Sequence, residues 1–332
     1  MKKITKLVSG MMLAAAAFGV QAEDRDYVLN TASTGGTYHP VGTAISTLSK
    51  IKLLPKEKFS LTAVNSAGSG ANVQALGAGT ADFAILQGLY GSYAVTGTGP
   101  VTAPQENLRS VTMLWQNVEQ FILANDKVSS GTMADMVAAK GSGMGMGAKN
   151  SGTLGSNKVL LSGLGVDAEA DYELMYGGYG PTADALANGQ IVGAGIPSGI
   201  PTGAVTKLMA SNEGKFTILN VTTDEQAKMD GGRDLWTPYT IKAGTYPGQT
   251  ADISTVAQPN FLAVNASVPE EDVYKLTKTM YENLGFLQAI HPATKAMNID
   301  SAIAGLPAPL HPGAARYYKE MGLNIPDRLI AK

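Results

Sequence analysis

No cysteine occurs anywhere in the chain. That excludes disulfides, thiolate nucleophiles, thiolate metal ligands and a lipid-modified N-terminal cysteine. Histidine is nearly as scarce: only His39, His291 and His311 are present. His291 and His311 each precede a proline and read as turn or helix-start residues. There is no HExxH spacing, no GxSxG elbow and no run of metal-ligand residues, so no catalytic residue, metal ligand or cofactor is assigned. Basic runs are also missing. With 25 Lys+Arg against 27 Asp+Glu the chain offers no footprint for nucleic acid or for an anionic membrane surface.

Long apolar runs are limited to one, at the start. Lys2, Lys3 and Lys6 form a charged front, and Val8 to Val20 is apolar but short for a membrane span. Val20-Gln21-Ala22 then supplies small residues at the −3 and −1 positions of a cleavage site. The expectation is a signal peptide over 1–22, with Glu23 as the mature N-terminus. Its removal takes away three lysines, leaving 22 against 27 and a net charge of −5. An exported chain without a lipid-anchoring cysteine is expected to be free in the periplasm. About 310 mature residues can bury a large core without staples and favour two domains.

What is abundant is glycine, with 39 residues, beside a hydrophobic content of 44% that is normal for a globular protein. The glycines fall in a pattern. Tyr27-Val28-Leu29 is an apolar strand; Ser33-Thr34-Gly35-Gly36-Thr37-Tyr38 follows, and an apolar-periodic segment runs from Val41 to Leu48. This is a strand, a tight turn and a helix start. The first turn of a helix carries unpaired N–H groups and a positive dipole end, so it can hold an anion without a charged side chain.

A second cycle repeats the plan. Gly143 to Gly147 (GMGMG) is a thin strand whose Met144 and Met146 read as core packing rather than a copper site. Lys149-Asn150-Ser151-Gly152-Thr153 leads into a helix through Leu161, and Asp171 to Tyr176 is strand-like, ending in Gly177-Gly178. The stretches 75–84 (ALGAGTADFA) and 185–194 (ALANGQIVGA) both put Ala-Leu at a helix end, glycine just beyond it and a buried strand next. Strands and helices alternate throughout, which points to an α/β protein with mainly parallel sheets. Ser254 to Asn265 is strand-prone and is expected to return the chain to the first lobe. Helices are expected after Pro269 and after His311-Pro312-Gly313.

The motifs at 33–38, 65–72 (NSAGSGAN), 79–87 (GTADFAILQ), 151–153, 244–246 (GTY) and 310–314 (LHPGA) together resemble the TAXI solute receptors, the extracytoplasmic subunits of one class of TRAP transporter. The resemblance runs in order over nearly the whole mature chain. It departs at 133–141 (MADMVAAKG), where the family has an Asp-Leu-Lys-Gly-Lys-like turn. It implies a two-lobed periplasmic binding protein fold of the second type with the ligand cleft between the lobes. Lobe one is then expected over 23–117 plus 262–332 and lobe two over 118–261. It further implies a monomer that hands a small organic anion or amino acid, a glutamate-like compound or dicarboxylate among them, to integral membrane TRAP permease subunits.

The expected ligand contacts follow. Ser33, Thr34, Gly35, Gly36, Thr37 and Tyr38 would present donors from lobe one, and Ser151, Gly152 and Thr153 from lobe two. Asn65, Ser69, Asn72 and Gln87 lie at strand ends or helix starts, where open α/β sheets bind ligands. Gln87 ends a buried run where polarity needs a reason. Tyr90, Tyr176 and Tyr246 are candidate walls, and Pro197-Ser198 follows the second buried strand. The five arginines lie outside these motifs. Two other readings remain open. One is a partner of a signalling receptor using the same trap. The other is an exported enzyme, for which 143–148 loosely fits GxGxxA with Asp167 about 20 residues on.

Overall fold

The structure, a computed structural model, describes residues 24–331. The signal-peptide expectation over 1–22 lies outside the described residues.

The strands are β1 (Arg25–Asn30), β2 (Phe59–Val64), β3 (Phe83–Gln87), β4 (Leu108–Val118), β5 (Phe121–Ala124), β6 (Gly143–Gly145), β7 (Glu173–Leu174), β8 (Gly193–Gly195), β9 (Phe216–Ile218), β10 (Thr237–Ile241) and β11 (Ile253–Asn265). Eight helices matter here: α1 (Tyr38–Lys52), α2 (Ser69–Gly77), α3 (Gly88–Thr96), α4 (Gly152–Gly163), α5 (Tyr179–Ala187), α6 (Gly203–Ser211), α7 (Glu270–Glu282) and α8 (Pro312–Glu320). Residues 133–141, where the family pattern is lost, open with a short helix over Met133–Ala138, capped by the Thr132 hydroxyl.

Two sheets organise the chain. The first orders its strands β10-β11-β3-β1-β2, with β4 also paired to β11. β1 is parallel to β2 and β3, while β11 runs antiparallel between β3 and β4. The second sheet has the order β7-β6-β8-β5-β9, with β6 parallel to its neighbours and β5 antiparallel between β8 and β9. Each sheet thus reads second, first, third, then an antiparallel strand arriving from the other half. This is the two-lobed arrangement of the periplasmic binding protein fold, type II, with the crossing strands as a hinge.

The internal repeat of the sequence is the local reason for this likeness. α2 and α5 end alike. Gly79 and Gly189 both have φ of 68°, a left-handed conformation that glycine adopts without steric cost. The N–H of Thr80 reaches Ala75 O at 2.9 Å and that of Gln190 reaches Ala185 O at 2.9 Å. The chain then turns straight into β3 and β8. β3 is buried along its whole length, as a central strand covered on both faces must be.

Each half has its own apolar core. Leu29, Phe59, Leu61, Phe83 and Phe261 are fully buried around the first sheet, each contributing roughly 1.5–3 kcal/mol of burial free energy. Met144 and Met146 pack with Phe121, Leu123 and Trp236 in the second half, consistent with core rather than metal. β7 is shorter than the strand expected over 171–176, because a helical turn over Ala168–Asp171 takes the start of that segment. The helix starts at Pro269 and His311 form as α7 and α8.

Candidate functional site

Four helices aim their first turns at one gap. α1 and α2 come from the first half, α4 and α5 from the second. In each, the third N–H is already unavailable: Pro40 and Pro181 have none, Ala71 N donates to Asn150 O at 3.0 Å, and Leu154 N donates to Ser151 Oγ at 3.0 Å. The leading N–H of each helix, on Tyr38, Ser69, Gly152 and Tyr179, has no partner within its own helix. All four residues line one cavity of about 140 Å³ between the halves.

The cavity is walled by Ser33, Gly36, Thr37 and Tyr38 on one turn, Ser66 to Ser69 on the next, and Gln87 and Asn117 at its floor. From the other half come Ala148, Ser151, Gly152 and Thr153, then Gly177, Gly178 and Tyr179, then Pro197 and Ser198. No lining side chain carries a formal charge. A negative group entering here meets hydroxyls, amides and four helix dipoles, each worth about 0.3–1 kcal/mol to an anion and up to about 2 when partly buried.

The two halves touch across the gap. The Thr37 hydroxyl does not cap its own helix; it donates to Gly199 O at 2.8 Å and accepts from Ser198 Oγ at 2.9 Å. His291 Nε2 stands 3.5 Å from the same hydroxyl, and burial holds that imidazole below its usual pKa. Gln87 Nε2 donates to Gly152 O at 2.9 Å. Asn150 Nδ2 donates to Gln74 Oε1 at 2.8 Å, and Ala204 N donates to Gly35 O at 3.1 Å. Small residues permit this approach: a Cβ on Gly70 would lie 2.5 Å from Asn150 O, and one on Gly152 would lie 2.8 Å from Gln87 Oε1. Asn150 itself has φ of 59°, a left-handed conformation that Asn tolerates better than most residues.

Two tyrosines buttress the walls. Tyr38 donates to Asn260 Oδ1 at 2.5 Å, and Tyr179 donates to Pro197 O while accepting from Thr153 Oγ1 at 2.8 Å. Burial raises both phenols well above their ordinary range, so both stay neutral.

Eleven of the expected residues border the cavity: Ser33, Gly36, Thr37, Tyr38, Ser69, Gln87, Ser151, Gly152, Thr153, Pro197 and Ser198. Seven do not. Thr34 and Asn65 are solvent-exposed, and Gly35 contributes its carbonyl to the contact with α6 instead. Asn72 is consumed as a bracket, its Nδ2 donating to Thr31 O at 2.8 Å and Ile85 O at 2.9 Å. The Tyr90 ring sits over Gly155 behind the site. Tyr176 is 40% exposed, under Lys149. Tyr246 is buried at the hinge, where its hydroxyl accepts from Thr202 N at 2.9 Å and donates to Gln120. Ser66, Asn117, Gly178 and Tyr179 were not among the expected contacts. The repeat carries the signal for the last two: Gly178-Tyr179 opens α5 as Gly68-Ser69 opens α2.

Fold and cleft together define the class: a two-lobed solute-binding protein fold with its cavity between the lobes. The chain belongs to the NMT1-like family, whose model matches residues 29–322. Among solved structures it is similar to MatC from Rhodopseudomonas palustris with bound malate, at 14% identity and a TM-score of 0.56, over 89% of this chain and 98% of that one. It is also similar to a binding protein component of an ABC phosphonate transporter from Pseudomonas aeruginosa, at 11% identity and a TM-score of 0.51, over 81% and 78%. At these identities the likeness is one of fold.

Proposed function

We propose that this protein is an exported receptor that closes two lobes on a small organic anion or amino acid, a glutamate-like compound or dicarboxylate among them. It then delivers the solute to the membrane subunits of a TRAP-type permease. In this reading residues 1–22 are removed on export, the receptor is a periplasmic monomer, and lobe one (23–117 plus 262–332) closes on lobe two (118–261). The observation that carries the reading is the uncharged cavity of about 140 Å³ faced by four helix N-termini, two from each lobe. That volume suits a small solute, being well under the roughly 300–1,000 Å³ of drug-sized pockets.

Ligand contacts are assigned to the N–H groups of Tyr38, Ser69, Gly152 and Tyr179 and to the side chains of Ser33, Ser66, Gln87 and Thr153. Charge-assisted bonds of about 1.5–3 kcal/mol each make two to four of them sufficient for micromolar binding, near −8 kcal/mol, after ordering costs. The malate named with the MatC structure and the resemblance to TAXI receptors both favour a carboxylate.

The test is a melting-temperature screen of the purified protein against malate, succinate, 2-oxoglutarate, glutamate and neutral sugars, followed by calorimetry. Carboxylates are expected to raise the melting temperature and the sugars to leave it unchanged. A panel in which only neutral solutes bind would overturn the assignment.

A further inference from the structure

The four helix starts around the cavity fall into two pairs, each with one member from each half. α1 meets α5: a Cβ on Gly35 would lie 2.9 Å from Gly180 N, one on Gly36 would lie 3.0 Å from the Tyr179 ring, and one on Gly178 would lie 2.9 Å from Ser33 Cβ. α2 meets α4: a Cβ on Gly68 would lie 3.7 Å from Gly152 N, and one on Gly152 would lie 2.9 Å from Ser69 Cβ. The cavity therefore has two poles. At each, the missing side chains let a helix start of one half approach a helix start of the other.

Two tyrosines set the distance between the poles. Tyr179 opens α5 at one pole, and its hydroxyl ends 2.8 Å from Thr153 Oγ1, in the first turn of α4 at the other. Tyr38 opens α1 and runs the same way in the first half: burial raises its phenol, and the Ser69 hydroxyl at the start of α2 opposes that rise. Each half thus holds its two helix starts about one tyrosine side chain apart. Donors are left over at both ends. The Ser151 hydroxyl, 3% exposed, accepts from Leu154 N and keeps its own proton unspent among the described residues. The Ser33 hydroxyl lines the other pole and makes no bond among them. Between the poles the floor is neutral amide: Asn117 Nδ2 donates to Gln87 Oε1 at 3.4 Å, and Gln87 Nε2 donates to Gly152 O at 2.9 Å.

Granted the receptor reading, on which this rests, we propose that the solute is a short dicarboxylate without an ammonium group, held with one carboxylate at each pole. Two helix starts at each pole put partial positive charge at both ends of the cavity, so each end favours an anion. Each carboxylate then touches both lobes, and either end of the solute ties them together. A solute with one carboxylate would leave the N–H and hydroxyl donors of the second pole facing nothing once closure excludes water, and unpaired buried donors are costly.

An amino acid brings a further demand. Its ammonium carries three donors, no acceptor and a full positive charge, and here it would lie among four positive helix ends. No lining side chain is acidic. Two carbonyls on the wall already accept: Pro197 O from Tyr179 and Gly152 O from Gln87. The acid whose charge the Tyr38 and Tyr179 phenols feel is Glu119, which is fully buried and does not line the cavity; its Oε1 accepts from Trp236 and Gln258. The amides of Gln87 and Asn117 both donate and accept, so they can serve a hydroxyl or a carbonyl on the solute's chain. They carry no charge to offset a desolvated ammonium.

The test is calorimetry at neutral pH on the wild-type protein, refolded to strip any bound solute. Succinate, malate and 2-oxoglutarate carry two carboxylates and no ammonium. Aspartate and glutamate add an ammonium to the same carbon skeletons. Butyrate and methylphosphonate carry their charge at one end only. The strongest ligand is expected among the first three. Aspartate, glutamate and both one-ended anions are expected to bind at least about tenfold more weakly, the least that losing one charge-assisted bond implies. An amino acid or a one-ended anion that binds within tenfold of the best dicarboxylate would overturn the two-pole assignment and leave the carboxylate receptor standing. Binding of none of these acids would overturn the receptor reading and the assignment with it.

Discussion

Gly70→Ala separates closure from stability because its two effects have opposite signs. Gly70 is the second residue of α2, and in the closed cleft a Cβ there would lie 2.5 Å from Asn150 O and 2.7 Å from Asn150 Oδ1. Ordinary contact requires about 3.5 Å, so the lobes must part by roughly 1 Å at this point. The bond from Ala71 N to Asn150 O, now 3.0 Å, is then too long to count, and the neighbouring Asn150–Gln74 and Gln87–Gly152 bonds are strained with it. Losing two or three bonds of about 0.5–1.5 kcal/mol costs roughly 1–4.5 kcal/mol of closure. That is about 5- to 2,000-fold in Kd. The ligand-free protein feels the reverse. Alanine in a helix is favoured over glycine by about 0.5–1 kcal/mol, which raises the melting temperature by about 1–3 °C. The control is the matching position of the other lobe: Gly180 is the second residue of α5 and has nothing within 4 Å of its would-be Cβ. Gly180→Ala should show the stability gain alone. Calorimetry with the strongest carboxylate of the screen measures the first effect and differential scanning the second. Binding by Gly70→Ala within threefold of the wild type would refute the claim that this contact belongs to the bound state.

Thr37→Leu should abolish detectable binding by calorimetry, since the side chain is 1% exposed and its hydroxyl is held between Ser198 and Gly199. Arg316→Ala should leave Kd within twofold and the chemical denaturation midpoint almost unchanged, because its pairs with Glu270 and Glu271 and its position over Tyr274 are on the surface. Asp230→Asn should destabilise by about 1–3 kcal/mol at pH 7, because the amide keeps one accepting oxygen for Leu235 N and Trp236 N but sets an NH2 donor against the N–H of Asp234, which is left without an acceptor. Burial raises Asp230, but those bonds outweigh it and its folded pKa is lowered. The carboxylate thus stabilises the fold above its unfolded pKa of about 3.9, and the gap between variant and wild type should shrink in melts below about pH 4.

The sequence reading reached the fold through two signals that act locally. Helix ends at Gly79 and Gly189 demand a left-handed residue, and strand-to-turn-to-helix passages at 27–48 and 143–161 demand glycine or small polar residues. Such features are legible because neighbouring residues cause them. The contacts that were misjudged depend on who lies opposite. Asn72 looked like a site residue because it lies at a helix start; Thr31 O, just beyond β1, and Ile85 O, inside β3, claim its side chain from outside its own segment. Tyr246 sits in a motif shared with solute receptors, and its partner Gln120 lies 126 positions away. Asn117 reaches the floor only because β4 pairs with β11 beside β3. Gly178 and Tyr179 were within reach, since applying the repeat to the second turn of lobe two places them opposite Gly68 and Ser69.

A trap of this construction is balanced by design of its contacts. The cross-cleft bonds are neutral and involve backbone or small polar groups, each with a modest net value of about 0.5–1.5 kcal/mol. Glycines at the contact bring the lobes together without adding apolar area that would hold them shut. In the proposed trap these contacts are modest, and the bonds a ligand makes to both lobes would add to them in setting the closed population. A fixed cation in the cavity would change that balance. It would cost desolvation when the site was empty, a cost that helix N-termini and hydroxyls avoid.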